Sequence, residues 1–455
     1  MTQRHRLGTL LNLPGIGMPF YAHSMENKKE KRERISIASK VFVDGRIAEL
    51  VYLKDVKQTR LAVFDGASTT LVTECEGEDG AQLVPVRASN SLVRHDAIRL
   101  PEGPTPYGDV ASLVAEIRAY IERYVVLSDW FRSFAAYYIL FTWVYDAFQE
   151  VPYLRVQAHW GAGKTRALLI IGSLCYRAFF ASGASTVSPI FHTLDTFRGT
   201  LILDEADFRF SDQTAELTKI LNNGNVKGFP VFRTAITKDR EFDPRAFQVF
   251  GPKLVAMRKS FADDALESRF ITERMGSHAI PPNVPLNLPD VQQTEALALR
   301  NKLLQYRFDH RLQLKINEGL IDAGLSPRLN QILVPLLSIV RDAGARTEIR
   351  NAVALQEAER REMQSDTAEG VLAALVAELS TERGDAPVPV SELARKFAQR
   401  FDADGDRPLS ARYVGNILRT RLGLKTYKTN GTYVIKPTQE TIAALQAQYG
   451  TSLRS

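Results

Sequence analysis

The feature that most constrains this chain is a short glycine-bearing segment set between two apolar runs. Tyr153 to Val156 reads as a buried strand, and RALLIIGSLCYRAF, from Arg166 onward, reads as an apolar helix. Between them stands Ala158-His159-Trp160-Gly161-Ala162-Gly163-Lys164-Thr165. A strand, a tight loop and a helix start in this order form an anion cradle. Glycine lets the main chain curl until successive N–H groups face one oxyanion, and the helix dipole adds to the attraction. Gly161, Ala162, Gly163, Lys164 and Thr165 are therefore the candidate phosphate-binding residues. Lys164 is placed to reach the β- and γ-phosphates, and the Thr165 hydroxyl to ligate Mg²⁺. Ala158 stands where the strict pattern has its first glycine, a position that a strand end tolerates.

A second segment supplies the other half of such a site. Thr200-Leu201-Ile202-Leu203-Asp204-Glu205 is an apolar strand that ends in two carboxylates. A buried strand needs no adjacent acids, but an open α/β sheet binds ligands at its carboxyl ends. Asp204 is expected to hold Mg²⁺ through water, and Glu205 to orient and polarise the attacking water. The two halves in this order predict that the chain binds a nucleoside triphosphate and hydrolyses it. ATP and Mg²⁺ are the expected cofactors, with Glu205 and Lys164 as catalytic residues.

These residues carry a resemblance. GAGKT, then LILDEAD, then FGPKLVAMRK and DDALESRF resemble the AAA+ ATPases. The last two strings resemble in particular the replicative ATPases of phages and mobile elements, distant relatives of the minichromosome-maintenance and superfamily 3 helicases. The resemblance spans about residues 108–345 and is specific at the motifs. It implies a γ-phosphate sensor after the strand Lys253–Met257. Arg258, Lys259 and Ser260 follow there in place of the usual Asn or Thr, which leaves Lys259 or Ser260 for the role. It implies an arginine supplied by a neighbouring subunit, for which Arg269 is the match, and hence a homo-oligomer, expected to be a hexamer. It implies a helical lid whose arginine closes on the nucleotide, for which Arg328 is the candidate.

An insert precedes the sensor strand. A helix over Thr214–Asn222 leads through Asn223-Gly224 to a hairpin expected over Phe229–Thr234 and Phe247–Phe250. Its polar tip carries Lys238 and Arg240. In ring helicases of the kind resembled, such a hairpin grips single-stranded DNA in the central pore.

The last domain is read from its own pattern. Amphipathic helices are expected over Thr367–Leu379, Ser391–Phe401 and Ser410–Leu422. A hairpin follows, Leu424–Tyr427 and Thr432–Ile435, turning at Asn430-Gly431. Three helices and a two-stranded wing make a winged helix. From Leu409 to Lys436 there are six basic residues and no acidic ones, against a net charge of +6 for the whole chain. That asymmetry points to a polyanion. Arg412, Tyr413, Asn416 and Arg419 are expected on the exposed face of the third helix, toward bases of duplex DNA. Lys425, Lys428 and Asn430 are expected to meet phosphates.

The fold class expected is therefore a multidomain α/β protein. A P-loop core over 150–280, a parallel sheet sandwiched by helices, carries a helical lid over 281–345. Before it lie a charged segment (1–35), a small antiparallel β-rich domain (36–105) and a helical region (106–149). A charged helical linker (346–365), the winged helix (366–440) and a tail (441–455) follow. Of 455 residues, 45% are hydrophobic and 24% charged, the balance of a water-soluble protein. The longest candidate apolar run, Ser133 to Tyr145, falls short of a membrane span, and no secretion signal is read, so a cytoplasmic protein is expected. Two distant cysteines, Cys75 and Cys175, and seven scattered histidines give no zinc spacing.

These features point to a ring-forming ATP-dependent DNA helicase or translocase of a phage, plasmid or mobile element, working with other replication proteins. An ATP-controlled initiator or loader uses the same residues. So does a regulatory or defence ATPase whose last domain binds protein.

Overall fold

The structure is a computed structural model. It describes residues 33–159, 161–182, 185–204, 212–236, 242–261, 263–276, 281–401 and 410–450. At its centre lies a five-stranded, wholly parallel sheet with helices against it. The spatial order is Phe270–Arg274, Tyr153–Gln157, Lys253–Met257, Leu201–Asp204, Phe179–Ser182. Parallel strands covered on both faces read as continuous apolar runs, and KLVAM and LIL are buried at every position. Four of the strands fall on the apolar runs Tyr153–Ala158, Ala178–Ser182, Thr200–Asp204 and Lys253–Met257 read from the sequence. The fifth, FITER, escaped because two of its five residues are charged. Glu273 is nevertheless buried there, accepting hydrogen bonds from the Ser128 N–H and hydroxyl, both at 2.8 Å.

Phe270–Arg274 is an edge strand, and its middle residue is closed off by a side chain. Gln356, on the long helix Ala343–Ser365, donates to the Thr272 carbonyl at 2.6 Å and accepts from the Thr272 N–H at 3.2 Å. The primary amide thus stands in for a neighbouring peptide. That helix runs without interruption across residues 345 and 346, where the sequence reading divides lid from linker.

The N-terminal β region holds two sheets. One is the antiparallel set Ser39–Val41, Ile47–Leu53, Gln58–Phe64 and Thr69–Val72. The other is not purely antiparallel as expected, because Arg34–Ile37 pairs parallel with Gln82–Pro85. The first sheet shares the main core: Phe64 stacks on Phe308 with ring centroids 5.2 Å apart. In the same interface Glu49 is buried between Arg177 and Arg307. Arg307 also pairs with Asp146 at 2.8 Å, and the Tyr176 hydroxyl donates to Glu49 at 2.8 Å. Burial pushes the Glu49 carboxyl up, but the two guanidiniums outweigh it and hold the group below its ordinary value.

Asp129–Val144 is buried nearly all round from Ser133 onward, as its uncharged, mostly apolar sequence there requires. No helix among the described residues is long and apolar enough to cross a membrane.

The C-terminal residues have their own core, built on Leu372, Leu375, Leu393, Phe397, Val414 and Leu418. Helices Ala368–Arg383, Val390–Phe401 and Ala411–Thr420 are followed by a hairpin, Tyr427–Thr429 with Thr432–Ile435. Its turn has φ of +48° at Asn430 and +80° at Gly431, the pair of positive angles that Asn-Gly supplies at least cost. Two elements were not foreseen. A short strand, Val388–Pro389, pairs with Thr432–Ile435, and a fourth helix, Gln439–Tyr449, packs on Ala368–Arg383 where a tail was expected.

Candidate functional site

The candidate site forms at the carboxyl end of the parallel sheet. The strand Tyr153–Gln157 delivers the chain into the glycine loop, of which residue 160 lies outside the described residues. Gly161 has φ of +74° and Gly163 of +84°. A Cβ at Gly161 would meet nothing within 4 Å, and one at Gly163 would meet the Met275 methyl at 3.6 Å. The left-handed backbone, not crowding, is what demands glycine here. Gly163 caps the helix Lys164–Gly172 with no side-chain hydrogen bond to its first N–H groups. N–H groups at such a helix start suit an anion.

The Lys164 Nζ donates to the Ala158 carbonyl at 2.8 Å and the His159 carbonyl at 2.7 Å, folded back over its own loop. Thr165, in the first turn, reaches past the intervening Lys253–Met257 strand. Its Oγ1 donates to Asp204 Oδ2 at 2.8 Å. The two halves of the sequence motif, 39 residues apart, therefore converge on one point. A hydroxyl and a carboxylate are hard oxygen donors. No cluster of three or more His, Cys, Asp or Glu among the described residues could hold a metal by itself. That donor set fits Mg²⁺, which keeps several waters and takes one or two protein oxygens beside phosphate.

Arg258, Lys259 and Ser260 leave the Lys253–Met257 strand at this same end and are exposed. The Arg258 carbonyl accepts from Gln157 Nε2 at 3.3 Å. Glu205, Lys238 and Arg240 lie outside the described residues.

Arg269 sits at the opposite end of the sheet. Its carbonyl accepts from the Tyr153 N–H at 2.9 Å, so it opens the edge strand where the loop strand begins. The length of a five-residue strand, roughly 16 Å, separates it from the phosphate loop of its own chain. Its Nε donates to Asn225 Oδ1 at 2.8 Å, and Nη1 donates to Asn222 Oδ1 and the Ala265 carbonyl, both at 2.6 Å. Burial first, and then the charge of Arg328, lower its pKa. Arg328 is half-buried, and its charge is felt by Tyr153 as well. The two candidate arginines thus stand together, away from their own Lys164.

The hairpin insert is formed by Val231–Ile236 and Phe242–Phe247, so its second strand begins earlier than the sequence reading has it. Phe229 and Phe232 are exposed on it. Its two roots are gripped by Lys253, fully buried at the start of the central strand. The amine donates to the carbonyls of Gly224 (3.2 Å), Val249 (2.9 Å) and Gly251 (2.9 Å). It also lies 4.9 Å from the Tyr153 ring centroid. Burial brings its pKa down to about 7. Sequence reasoning missed Lys253, Asn222, Asn225 and Glu49. The available signal was a charged residue at the mouth of, or within, an otherwise apolar strand: KLVAM and IAELVYL.

In the C-terminal unit, Arg412, Asn416 and Arg419 are all exposed on Ala411–Thr420. Arg412, Arg419 and Tyr433 line a groove of about 650 Å³ between this helix and the hairpin, and Arg419 donates to the Thr426 hydroxyl at 3.2 Å. Lys425 and Lys428 are exposed on the hairpin side.

No protein-family model matches the chain, and no curated protein does. Among solved structures it is similar to the apo NrS-1 C-terminal region, with 10% identity over 85% of this chain and 96% of that one, at a TM-score of 0.35. It is also similar to the JCV helicase, with 14% identity over 47% of this chain and 63% of that one, at a TM-score of 0.24. Likenesses this distant leave the function to be read from the chain's own residues.

Proposed function

We propose that the chain is an ATP-driven DNA motor: an AAA+-type ATPase that assembles from copies of itself, expected as a hexamer, and acts as a helicase or translocase in the cytoplasm. The observation that carries the reading is the contact of Thr165 with Asp204 beside a glycine loop of left-handed backbone. Lys164 exchanges its loop carbonyls for phosphate oxygens, while the loop N–H groups hold the β-phosphate. Bound Mg²⁺ neutralises phosphate charge, with Thr165 and Asp204 as its protein-side donors. Glu205 orients the attacking water.

Arg269 stands too far from its own loop to serve it, which favours action on a neighbour's triphosphate, with Arg328 beside it. Helices over 281–345 form the lid. The hairpin takes single-stranded DNA, with Lys238 and Arg240, which lie between its two strands in sequence, as the gripping residues, and the C-terminal unit acts as a winged helix on duplex. The origin proposed is a phage, plasmid or mobile element.

The test is ATP hydrolysis and strand separation by the full chain. Single-stranded DNA should stimulate turnover. Lys164→Ala should lose nucleotide binding, and Glu205→Gln should bind ATP but stall. Lys238→Ala with Arg240→Ala should lose unwinding. Intact nucleotide binding by Lys164→Ala would remove the site. ATP-dependent DNA binding with no strand separation would leave an initiator or loader instead.

A further inference from the structure

Buried guanidiniums in this protein are commonly matched by carboxylates: Arg155 by Glu267, Arg177 by Glu49, Arg307 by Glu49 and Asp146. Arg300 is met instead by the main-chain carbonyls of Leu100 and Ser173, and among the described buried arginines Arg269 is the one held by side-chain amides. It is 9% exposed and forms no ion pair with a described residue. Its acceptors are two side-chain amides and one main-chain carbonyl, all neutral. A carboxylate partner would cancel the charge and lower its value to any other anion. Amide oxygens fix the direction of the planar fork and leave the net charge in place.

The orientation of these amides is itself secured. Asn222 Nδ2 donates to Asp263 Oδ2 at 3.1 Å, which turns its oxygen toward Arg269. Asn225 is 1% exposed, and its main-chain carbonyl accepts from the Val151 N–H at 2.9 Å, which anchors the backbone that carries its amide. Between them, Gly224 is backed against Lys253, whose amine would lie 2.4 Å from any Cβ placed there. The segment that holds Arg269 therefore cannot drift.

We propose that Asn222 and Asn225 are positioning residues for Arg269, holding its guanidinium, free of a direct carboxylate partner among the described residues, where it meets the terminal phosphate of a triphosphate bound by a second copy of this chain. The proposal rests on the reading of Arg269 as acting in trans. The Asp263 carboxylate, which faces the same cluster, hydrogen-bonds to Asn222 and acts on the guanidinium only through space.

Asn225→Asp is the discriminating variant. It keeps the shape and the acceptor but adds a negative charge against Nε. A purely structural role would tolerate the change, since a buried arginine gains an ion-pair partner. A positioning role predicts that kcat falls about 10-fold or more while KM for ATP changes less than about 2-fold, because each chain's own loop still binds nucleotide. Asn222→Ala, at a half-exposed site, should give a smaller fall in kcat with the same unchanged KM, and thermal unfolding checks that both variants fold. Mixed with Lys164→Ala chains, which bring an intact Arg269, Asn225→Asp should regain turnover. Wild-type kcat in both asparagine variants, with Arg269→Ala inactive and rescued by the same mixing, would overturn this proposal alone. An Arg269→Ala variant that turns over normally, or that mixing does not rescue, would overturn the trans reading on which it stands.

Discussion

The Thr165 hydroxyl donates to the Asp204 carboxylate across 2.8 Å, joining the first turn of the loop helix to the end of a strand two places away in the sheet. Neither side chain has a packing reason to be there: Thr165 is exposed and Asp204 half-buried. Two hard oxygens so placed suit one small cation.

Thr165→Val keeps the side-chain volume and removes the donor oxygen. Titration calorimetry should find ATP binding weakened about 10-fold or more in the presence of Mg²⁺ and little changed in its absence. Equal weakening in both conditions would mean that the hydroxyl shapes the loop and serves no cation.

Glu49→Ala should destabilise the fold by about 3–5 kcal/mol, because it strands Arg177 and Arg307 in the core without their counter-charge. The folded carboxyl is held below its ordinary 4.5. Its contribution is therefore complete above that value and is lost as pH falls through the lower folded value. Chemical denaturation of wild type and Glu49→Ala should converge in stability as the medium is acidified below pH 4.5. A constant difference would exclude Glu49 as the titrating group.

Lys253 has the opposite pH signature. Its folded pKa of about 7 lies below the ordinary 10.5, so between those values the unfolded chain holds a proton that the fold has released. Stability should rise with pH across that window, by up to about 1.4 kcal/mol per unit, and level off on either side. Lys253→Met should flatten that rise. If the slope persists in the variant, another group titrates.

Much of this architecture was legible before any coordinates. GxGKT after a strand, and two acids closing a second strand, fix local backbone geometry by themselves, because only a few residues satisfy a left-handed turn or a metal contact. What stayed hidden depends on neighbours far along the chain. Nothing in FITER alone says that Glu273 finds the Ser128 hydroxyl, or that Thr272 finds Gln356. Nothing in an isolated NNGN says that two of its amides grip Arg269. The fourth C-terminal helix was passed over because QETIAALQAQY is weakly amphipathic and follows a complete three-helix pattern.

DNA affinity of the full chain should fall with salt, with a log–log slope of about −4 to −5 if five phosphates are neutralised. Filter binding or anisotropy between low and moderate salt measures it. Arg412→Ala or Lys428→Ala should each reduce the slope by about 1. No measurable DNA affinity even at low salt would turn the C-terminal groove into a protein-binding surface.

The Gln356 amide that occupies both main-chain groups of Thr272 also bears on how copies of this chain can meet. An open sheet margin invites a stranger's strand to zip onto it, and that route leads to runaway fibres. Here the middle rung of the ladder is already taken by a side chain of the same molecule. Any meeting of two copies is turned away from a seam that would never let go and toward shaped side-chain faces, a kind of contact that can come apart again.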